Sequence, residues 1–369
     1  MSQDYTSPVK TTKALDEYVL LGRSGLRISP LCLGTVTFGE QWGVGADKEK
    51  SKKVFDLYYE RGGNFFGNFS LIYVVNNKSF HNFSNNLIIT YIFQIPPTFT
   101  ILVKFIFTAN RTAMLKDQKF NPNFGGNHRK SLVENLDESL KRLNMNYVDI
   151  LYAHMFEYRT PIEEMMRSLD DVIRSGKALY VAVSDIPSWA LARANTIAEL
   201  RGWSPFIGLQ TRYSLLNRSF EFDLQPACAE LDVGVIPWVD PKLNIRNKAI
   251  GAYSKSEKNW KILDEVIAIS EEIDRSPVQV ALNWVQQKPG ITSSLIGART
   301  VSQLEENLRS LEFKLTPEQM KRLDDVSKPN EVPFPHKFAN QYDRYIGKNI
   351  QVPNKFAPIV KAYNYGSLY

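Results

Sequence analysis

Downstream of residue 127 the apolar positions alternate between two rhythms. In HRKSLVENLDESLKRL, Leu132, Leu136, Leu140 and Leu143 recur at helical spacing with polar residues between them. YVDILY follows and reads as a buried strand. Thr160-Pro161-Ile162-Glu163 then carries the signature of a helix start: a Thr N-cap, Pro at the first position and Glu at the third. The helix EEMMRSLDDVIRS runs to Gly176, a natural stop. ALYVAV is the next strand and PSWALARANTIAELRG the next helix; FIGLQ, FEFDLQPACAEL and VGVIPW continue the alternation. Beyond them lie WKILDEVIAISEEI, VQVALNWVQQ, the strand SSLIG, and two closing helices around QLEENLRSL and PEQMKRLDDV. Upstream, DKEKSKKVFDLYYERG is another amphipathic helix.

Strand and helix alternating in this way imply parallel strands joined by crossover helices. The chain has 369 residues, enough for one large α/β barrel or two ordinary domains. Many units in one unbroken stretch favour a closed (β/α)8 barrel over an open doubly wound sheet. No strand is followed by a Gly-rich dinucleotide fingerprint, which weakens the open-sheet alternative.

In a barrel, chemistry gathers at the C-terminal ends of the strands. YVDILY is followed by Ala153-His154, and ALYVAV by Ser184-Asp185. FIGLQ ends in Gln210, with Tyr213 just beyond; VGVIPW ends in Trp238, which reads as a core aromatic. SSLIG opens into Gly297-Ala298-Arg299-Thr300 and a helix bearing Gln303, Glu306 and Asn307. A helix N-terminus preceded by Gly and carrying Arg suits an anion such as a phosphorylated cofactor. The same residues also suit plain capping, with Thr300 as N-cap and Gln303 three residues on. Spacing alone leaves both readings open.

Composition narrows the class further. The net charge of +6 comes from basic residues scattered along the chain, so no nucleic-acid partner is expected. Cys32 and Cys228 lie far apart and the N-terminus lacks an apolar signal segment; both features point to a reducing, cytoplasmic setting. His81, His128, His154 and His336 show no metal-ligand spacing. LIITYIFQIPPTFTILVKFIFT (87–108) is apolar over a membrane-like length, but Pro96-Pro97 at its middle and Lys104 argue against a span. This stretch belongs to a larger anomaly. From Arg61 to Lys116 there is not one Asp or Glu.

The motifs LGRSGLRISPLCLGTVTFGEQWG (21–43), GGNHRKSL (125–132), YVDILYAHMFEY (147–158), VAVSDIPSWALARAN (181–195), LQTRYSLLNR (209–218), GVIPW (234–238) and LIGARTVSQLEENL (295–308) together resemble the aldo-keto reductases, in the branch that includes aryl-alcohol dehydrogenases. The resemblance implies a (β/α)8 barrel with an N-terminal capping hairpin, NADP(H) as cofactor, and reduction of a small aldehyde or ketone. It implies a Tyr as proton donor, made more acidic by a Lys that is itself paired with an Asp, and a His that orients the carbonyl. His154 matches that His. Gly34 and Thr35 match the first-strand residues that line the cofactor. Ser184 and Asp185 match the pair on the nicotinamide amide, with Asp where many members have Asn, and Gln210 matches the second amide contact. Tyr213 reads either as a ring-stacking residue or as a packed aromatic. Gly297, Arg299, Gln303 and Asn307 match the site for the adenosine 2′-phosphate.

The resemblance fails over residues 67–105. Gly67 stands where the family has Asp, and Ile72 where it has Tyr; Tyr73 comes one residue late. The family Lys falls on Lys104 or on Ile106, depending on which flank is counted from. VDPKLNIRNKAIGAYSKSEKNW replaces the glycine-bearing loop that closes over the cofactor pyrophosphate. The expected organisation is a polar tail (1–17), a barrel (18–336) whose second βα unit is disrupted, and a C-terminal tail (337–369). Catalytic candidates are His154, Lys104 and Tyr73. Three functional outcomes stay open: a reductase with impaired turnover, a catalytically silent NADPH-binding subunit acting in redox sensing or on a channel, or the product of a mis-spliced gene.

Overall fold

The computed structural model describes residues 14–39, 45–68, 100–106, 123, 125–238, 253–336 and 352–362. Two short strands, β1 (Val19–Leu20) and β2 (Arg27–Ile28), pair antiparallel as a hairpin. Eight parallel strands follow: β3 (Leu31–Gly34), β4 (Phe65–Asn68), β5 (Thr100–Ile106), β6 (Val148–His154), β7 (Ala178–Ser184), β8 (Phe206–Arg212), β9 (Gly234–Trp238) and β10 (Ser294–Ile296). They lie side by side in chain order, and β10 returns to pair with β3. A bridge between Val235 and Ile291 joins the remaining edges, with the Thr292 N–H donating to the Val235 carbonyl at 2.9 Å. The ring of strands is thereby closed, as expected of a (β/α)8 barrel.

Helices α1 (Lys48–Glu60), α2 (Arg129–Leu143), α3 (Ile162–Arg174), α4 (Ser188–Arg201), α5 (Leu224–Glu230), α6 (Glu257–Glu272), α7 (Pro277–Gln287), α8 (Val301–Leu308) and α9 (Pro317–Ser327) follow in order, and α10 (Ala357–Ala362) lies in the C-terminal segment. Their apolar stripes are what the periodicity requires. Leu132, Leu136, Leu140 and Leu143 of α2 are all buried, each contributing about 1.5–3 kcal/mol of apolar burial. Tyr58 of α1 is fully buried and donates to the carbonyls of Leu31 (2.5 Å) and Phe65 (3.0 Å), tying the helix to β3 and β4. Gly63 makes this possible, since a Cβ there would lie 2.2 Å from the Tyr58 ring.

The hairpin plugs the N-terminal end of the barrel. Leu21 and Ile28 join Cys32, Phe65, Ile150, Tyr152, Ala182, Ile207 and Ile236 in the apolar cluster inside it. Gly22, at φ +55°, lets the hairpin approach the strands, where a Cβ would lie 2.3 Å from the Ile207 carbonyl. The mouth at the opposite end is left for polar residues.

Several expectations are sharpened or corrected. The second strand forms as β4 and the third as β5, which takes up the later part of the apolar stretch. The connection between them, with Tyr73, lies outside the described residues, as do 239–252 after β9. No helix among the described residues is long and apolar enough to cross a membrane. Thr160 does not cap α3. Its hydroxyl is taken by the Glu157 carboxylate, and Pro161 stands at the cap position without a side-chain bond.

Candidate active site at the barrel mouth

The strand registers set the site. His154 ends β6 level with Ser184 of β7, which is level with Gln210 of β8. One layer below, Tyr152 is level with Ala182. The mouth therefore presents His154, Ser184 and Gln210 at the same height, all buried.

Asp185 joins them by an unusual backbone turn. It holds a left-handed φ of 52°, which short polar side chains tolerate best. Its own N–H donates to the Gln210 carbonyl at 3.1 Å. Its carboxylate accepts from the Ser184 hydroxyl (3.1 Å) and from the Trp238 indole N–H (3.2 Å). It also faces His154 Nε2 at 3.8 Å. Met155, next after His154, is likewise left-handed at φ 60°, with its N–H on the Ser184 carbonyl at 3.2 Å. Two adjacent strand ends thus carry strained residues beside one histidine, a concentration typical of functional sites.

Gln210 is the most telling member. It is fully buried, yet neither its amide oxygen nor its amide nitrogen has a hydrogen-bond partner among the described residues. Leaving such groups unsatisfied costs about 1–3 kcal/mol each. A ligand carboxamide at the mouth would offer the donor and acceptor that the protein withholds.

Across the barrel, Thr35 follows β3 and is buried; both its N–H (2.9 Å) and its hydroxyl (3.2 Å) donate to the Gly67 carbonyl. Thr37 donates to the Ala298 carbonyl at 2.8 Å, fixing the loop after β10. In that loop Thr300 caps α8, accepting from the Gln303 N–H at 3.2 Å. The Gln303 side chain turns back to accept from the Arg299 N–H at 2.9 Å, and Asn307 donates to the Gly297 carbonyl at 3.1 Å. Capping is therefore real, and it builds the loop. Gln303 and Asn307 brace the backbone around Arg299.

One aromatic reading narrows and one changes. Tyr213 is fully buried between Phe220 and Trp284, and its hydroxyl donates to Glu221 at 2.7 Å. Of its two readings, the packed aromatic is the one the structure supports, because neighbouring rings cover its faces. Trp238, read as core, is only half-buried and stands at the end of β9 with its edge on Asp185. It is the aromatic ring that borders the mouth. The signal was available: Trp238 is a strand-terminal residue, where barrel side chains meet ligand rather than core.

A family model, the aldo/keto reductase family, matches residues 30–328. The chain belongs to the aldo/keto reductase family. Among its relatives is a norsolorinic acid reductase of Aspergillus flavus, 31% identical over 345 residues that cover 90% of this chain and 86% of the relative. An aryl-alcohol dehydrogenase [NADP(+)] of Phanerodontia chrysosporium is 28% identical over 95% of this chain and 98% of its own length. An aryl-alcohol dehydrogenase of Pestalotiopsis microspora is 30% identical, covering 90% and 88%.

The β3–β5 side of the mouth is less furnished. Gly67, where the motif comparison expects Asp, pairs with Gly34 and offers only its carbonyl, to Thr35. A Cβ there would meet Leu295 Cδ1 at 3.1 Å and Cys32 Sγ at 3.4 Å. Lys104 is level with Tyr152, while the β5 residue level with His154 is Ile106. Lys104 is thus placed one layer below the mouth.

Proposed function

We propose that this chain is an NADP(H)-dependent oxidoreductase that interconverts small aldehydes or ketones, aryl carbonyl compounds among them, with alcohols. The buried, unpartnered Gln210 amide carries this reading, level with Ser184 and His154. It is the arrangement a nicotinamide carboxamide would complete. The Asp185 carboxylate accepts from the carboxamide NH2, and Gln210 supplies the complementary donor. Trp238 offers its ring at the mouth, oriented by its bond to Asp185. Arg299, braced by Gln303, takes the phosphate that separates NADP from NAD. When bound, the cofactor supplies the hydride. His154 would polarise the carbonyl oxygen, and the alkoxide formed there would take its proton from solvent by way of the same imidazole. Cys32 inside the barrel and Cys228 in the outer shell are both buried, which suits a reducing, cytoplasmic compartment.

Titration of intrinsic fluorescence with NADPH tests the reading, with Arg299→Ala as control. Saturable binding is expected, weakened about 10- to 100-fold by the substitution, the loss of one charge-assisted phosphate contact. Equal affinity of wild type and variant would rule out Arg299 as the phosphate ligand.

A second reading rests on Gly67 and Ile106. The carboxylate expected beside the proton donor is absent, and an aliphatic residue is level with His154. On that reading the barrel binds NADPH but turns it over slowly. Single-turnover oxidation of bound NADPH by benzaldehyde separates the two: oxidation within seconds favours the competent reductase, while no oxidation over minutes favours the silent binder.

A further inference from the structure

Tyr152 is one of the largest fully buried side chains of the protein, and its hydroxyl has no partner among the described residues. A phenol that merely fills space is normally replaced by phenylalanine or given a partner, because an unsatisfied buried hydroxyl is costly. Its surroundings explain where it points. On β7 the level residue is Ala182, and on β8 the ring reaches Gly208; the phenol oxygen lies 3.4 Å from where a Gly208 Cβ would stand. Two small residues in one layer open the space that the Tyr152 ring crosses. Burial holds the phenol well above its ordinary acidity range, so it stays a neutral donor at every physiological pH.

Gly208 is two residues before Gln210 on the same strand, so the phenol oxygen sits one layer beneath the Gln210 side chain. A layer is about 7 Å, an interval that the glutamine side chain and one water bridge. Three polar atoms, the Tyr152 hydroxyl and both ends of the Gln210 amide, thus lie in successive layers inside the barrel, none with a partner among the described residues. Buried polar atoms without a protein partner, two or more in reach of one site, are what hold an internal water.

We propose that Tyr152 is a positioning residue for the carboxamide end of the cofactor site, its hydroxyl bonded through one buried water to Gln210. The link orients the Gln210 amide from below, so that its free edge is presented to the ligand. This rests on the NADP(H) reading above. It goes beyond it in assigning a role to a residue of the barrel floor that touches neither cofactor nor substrate.

Tyr152→Phe removes only the hydroxyl. The test compares wild type and variant by calorimetric titration with two ligands, NADPH and adenosine 2′,5′-bisphosphate, the half of the cofactor without nicotinamide. The variant is expected to bind NADPH about tenfold more weakly, the equivalent of one ordinary hydrogen bond. It is expected to bind the bisphosphate equally well and to melt no lower than wild type. In a Gln210→Leu background the same substitution is expected to change nothing. Unchanged NADPH affinity would overturn the proposal. Equal weakening of both ligands would overturn it too, since the hydroxyl would then be structural. If wild type binds the bisphosphate but gains nothing from the nicotinamide half, the proposal fails and the phosphate site stands. If wild type binds neither, the cofactor reading fails and takes the proposal with it.

Discussion

Two arcs of one barrel mouth have been equipped very differently. From β6 round to β10 nearly every strand end carries a polar or aromatic side chain that a neighbour holds: His154 against Asp185, Ser184 and Trp238 on Asp185, Gln303 on the backbone of Arg299. From β3 to β5 the corresponding positions include Gly34, Gly67 and Ile106, and the Gly67 carbonyl accepts from Thr35. On the proposed reading the first arc grips the dinucleotide, and the positions that the resemblance assigns to proton delivery fall on the second, where Gly67 and Ile106 stand. Because separate strands carry the two tasks, one can change while the other persists. This is how a barrel lets chemistry vary on a constant frame.

The equipped arc is also clamped from outside, and removing the clamp has the largest expected effect. Arg218 is buried and makes a two-point contact with Glu221 (2.7 and 3.0 Å), while its other nitrogen donates to the Asp324 carbonyl and Ser327. Asp324 in turn accepts from Trp284 (3.0 Å) and Lys288 (2.6 Å). The network ties the segment after β8 to α7 and α9. Glu221→Ala would strand the Arg218 charge and cost about 3–5 kcal/mol, read as a fall in the urea midpoint, with NADPH binding lost in parallel. Arg218→Met combined with Glu221→Leu is expected to recover most of that stability, because a buried ion pair replaced by apolar groups is near neutral. If the double variant is no better than the single, charge burial is not what the clamp manages.

The poorer arc invites repair, and the geometry says repair by one residue fails. Gly67→Asp would place a side chain against Leu295 and Cys32. Overpacking of that kind costs about 1–3 kcal/mol. The expected outcome is a lower urea midpoint with no gain in NADPH oxidation by benzaldehyde. A gain in turnover would show that the missing carboxylate alone limits the reaction, and the contrast between the arcs would shrink to one position.

The sequence carried the frame more fully than the floor. Helical spacing of Leu132, Leu136, Leu140 and Leu143 and the strand-like runs between helices were sufficient for the barrel, because one-sided burial imposes a period that is visible in one dimension. The mouth residues were legible because strand ends mark themselves by a change from apolar to polar. Tyr213 and Trp238 were harder. Both are aromatics near strand ends, and only packing distinguishes the ring enclosed by Phe220 and Trp284 from the ring on Asp185. Tyr152 gave no signal at all, since its meaning depends on Ala182 and Gly208 on other strands. Thr160 misled for a related reason: a local capping pattern was outbid by the Glu157 carboxylate three residues earlier.

That carboxylate gives the smallest effect, and it probes the junction between the arcs. Glu157 is in the segment that follows His154 and accepts from the backbone N–H groups of Arg159 (2.7 Å) and Asn127 (3.4 Å) as well as from Thr160. Partial burial works to raise its pKa, but these hydrogen bonds outweigh it and hold the carboxyl below its ordinary value of 4.5. A depressed value in the fold means that folding favours the ionised form. The resulting stability is fully present above the unfolded-state value and is lost as pH falls through the folded-state value. Wild type should therefore exceed Glu157→Gln in urea midpoint at pH 7, keep that margin down to about the ordinary glutamate range, and lose it progressively below. Asn127 donates through its side chain to the Met155 carbonyl at 3.0 Å, so the same bonds steady the residue next to His154. If Glu157→Gln keeps a pH-independent margin, the hydrogen bonds act as neutral contacts. If the margin follows the carboxyl, the loop beside His154 is anchored by charge.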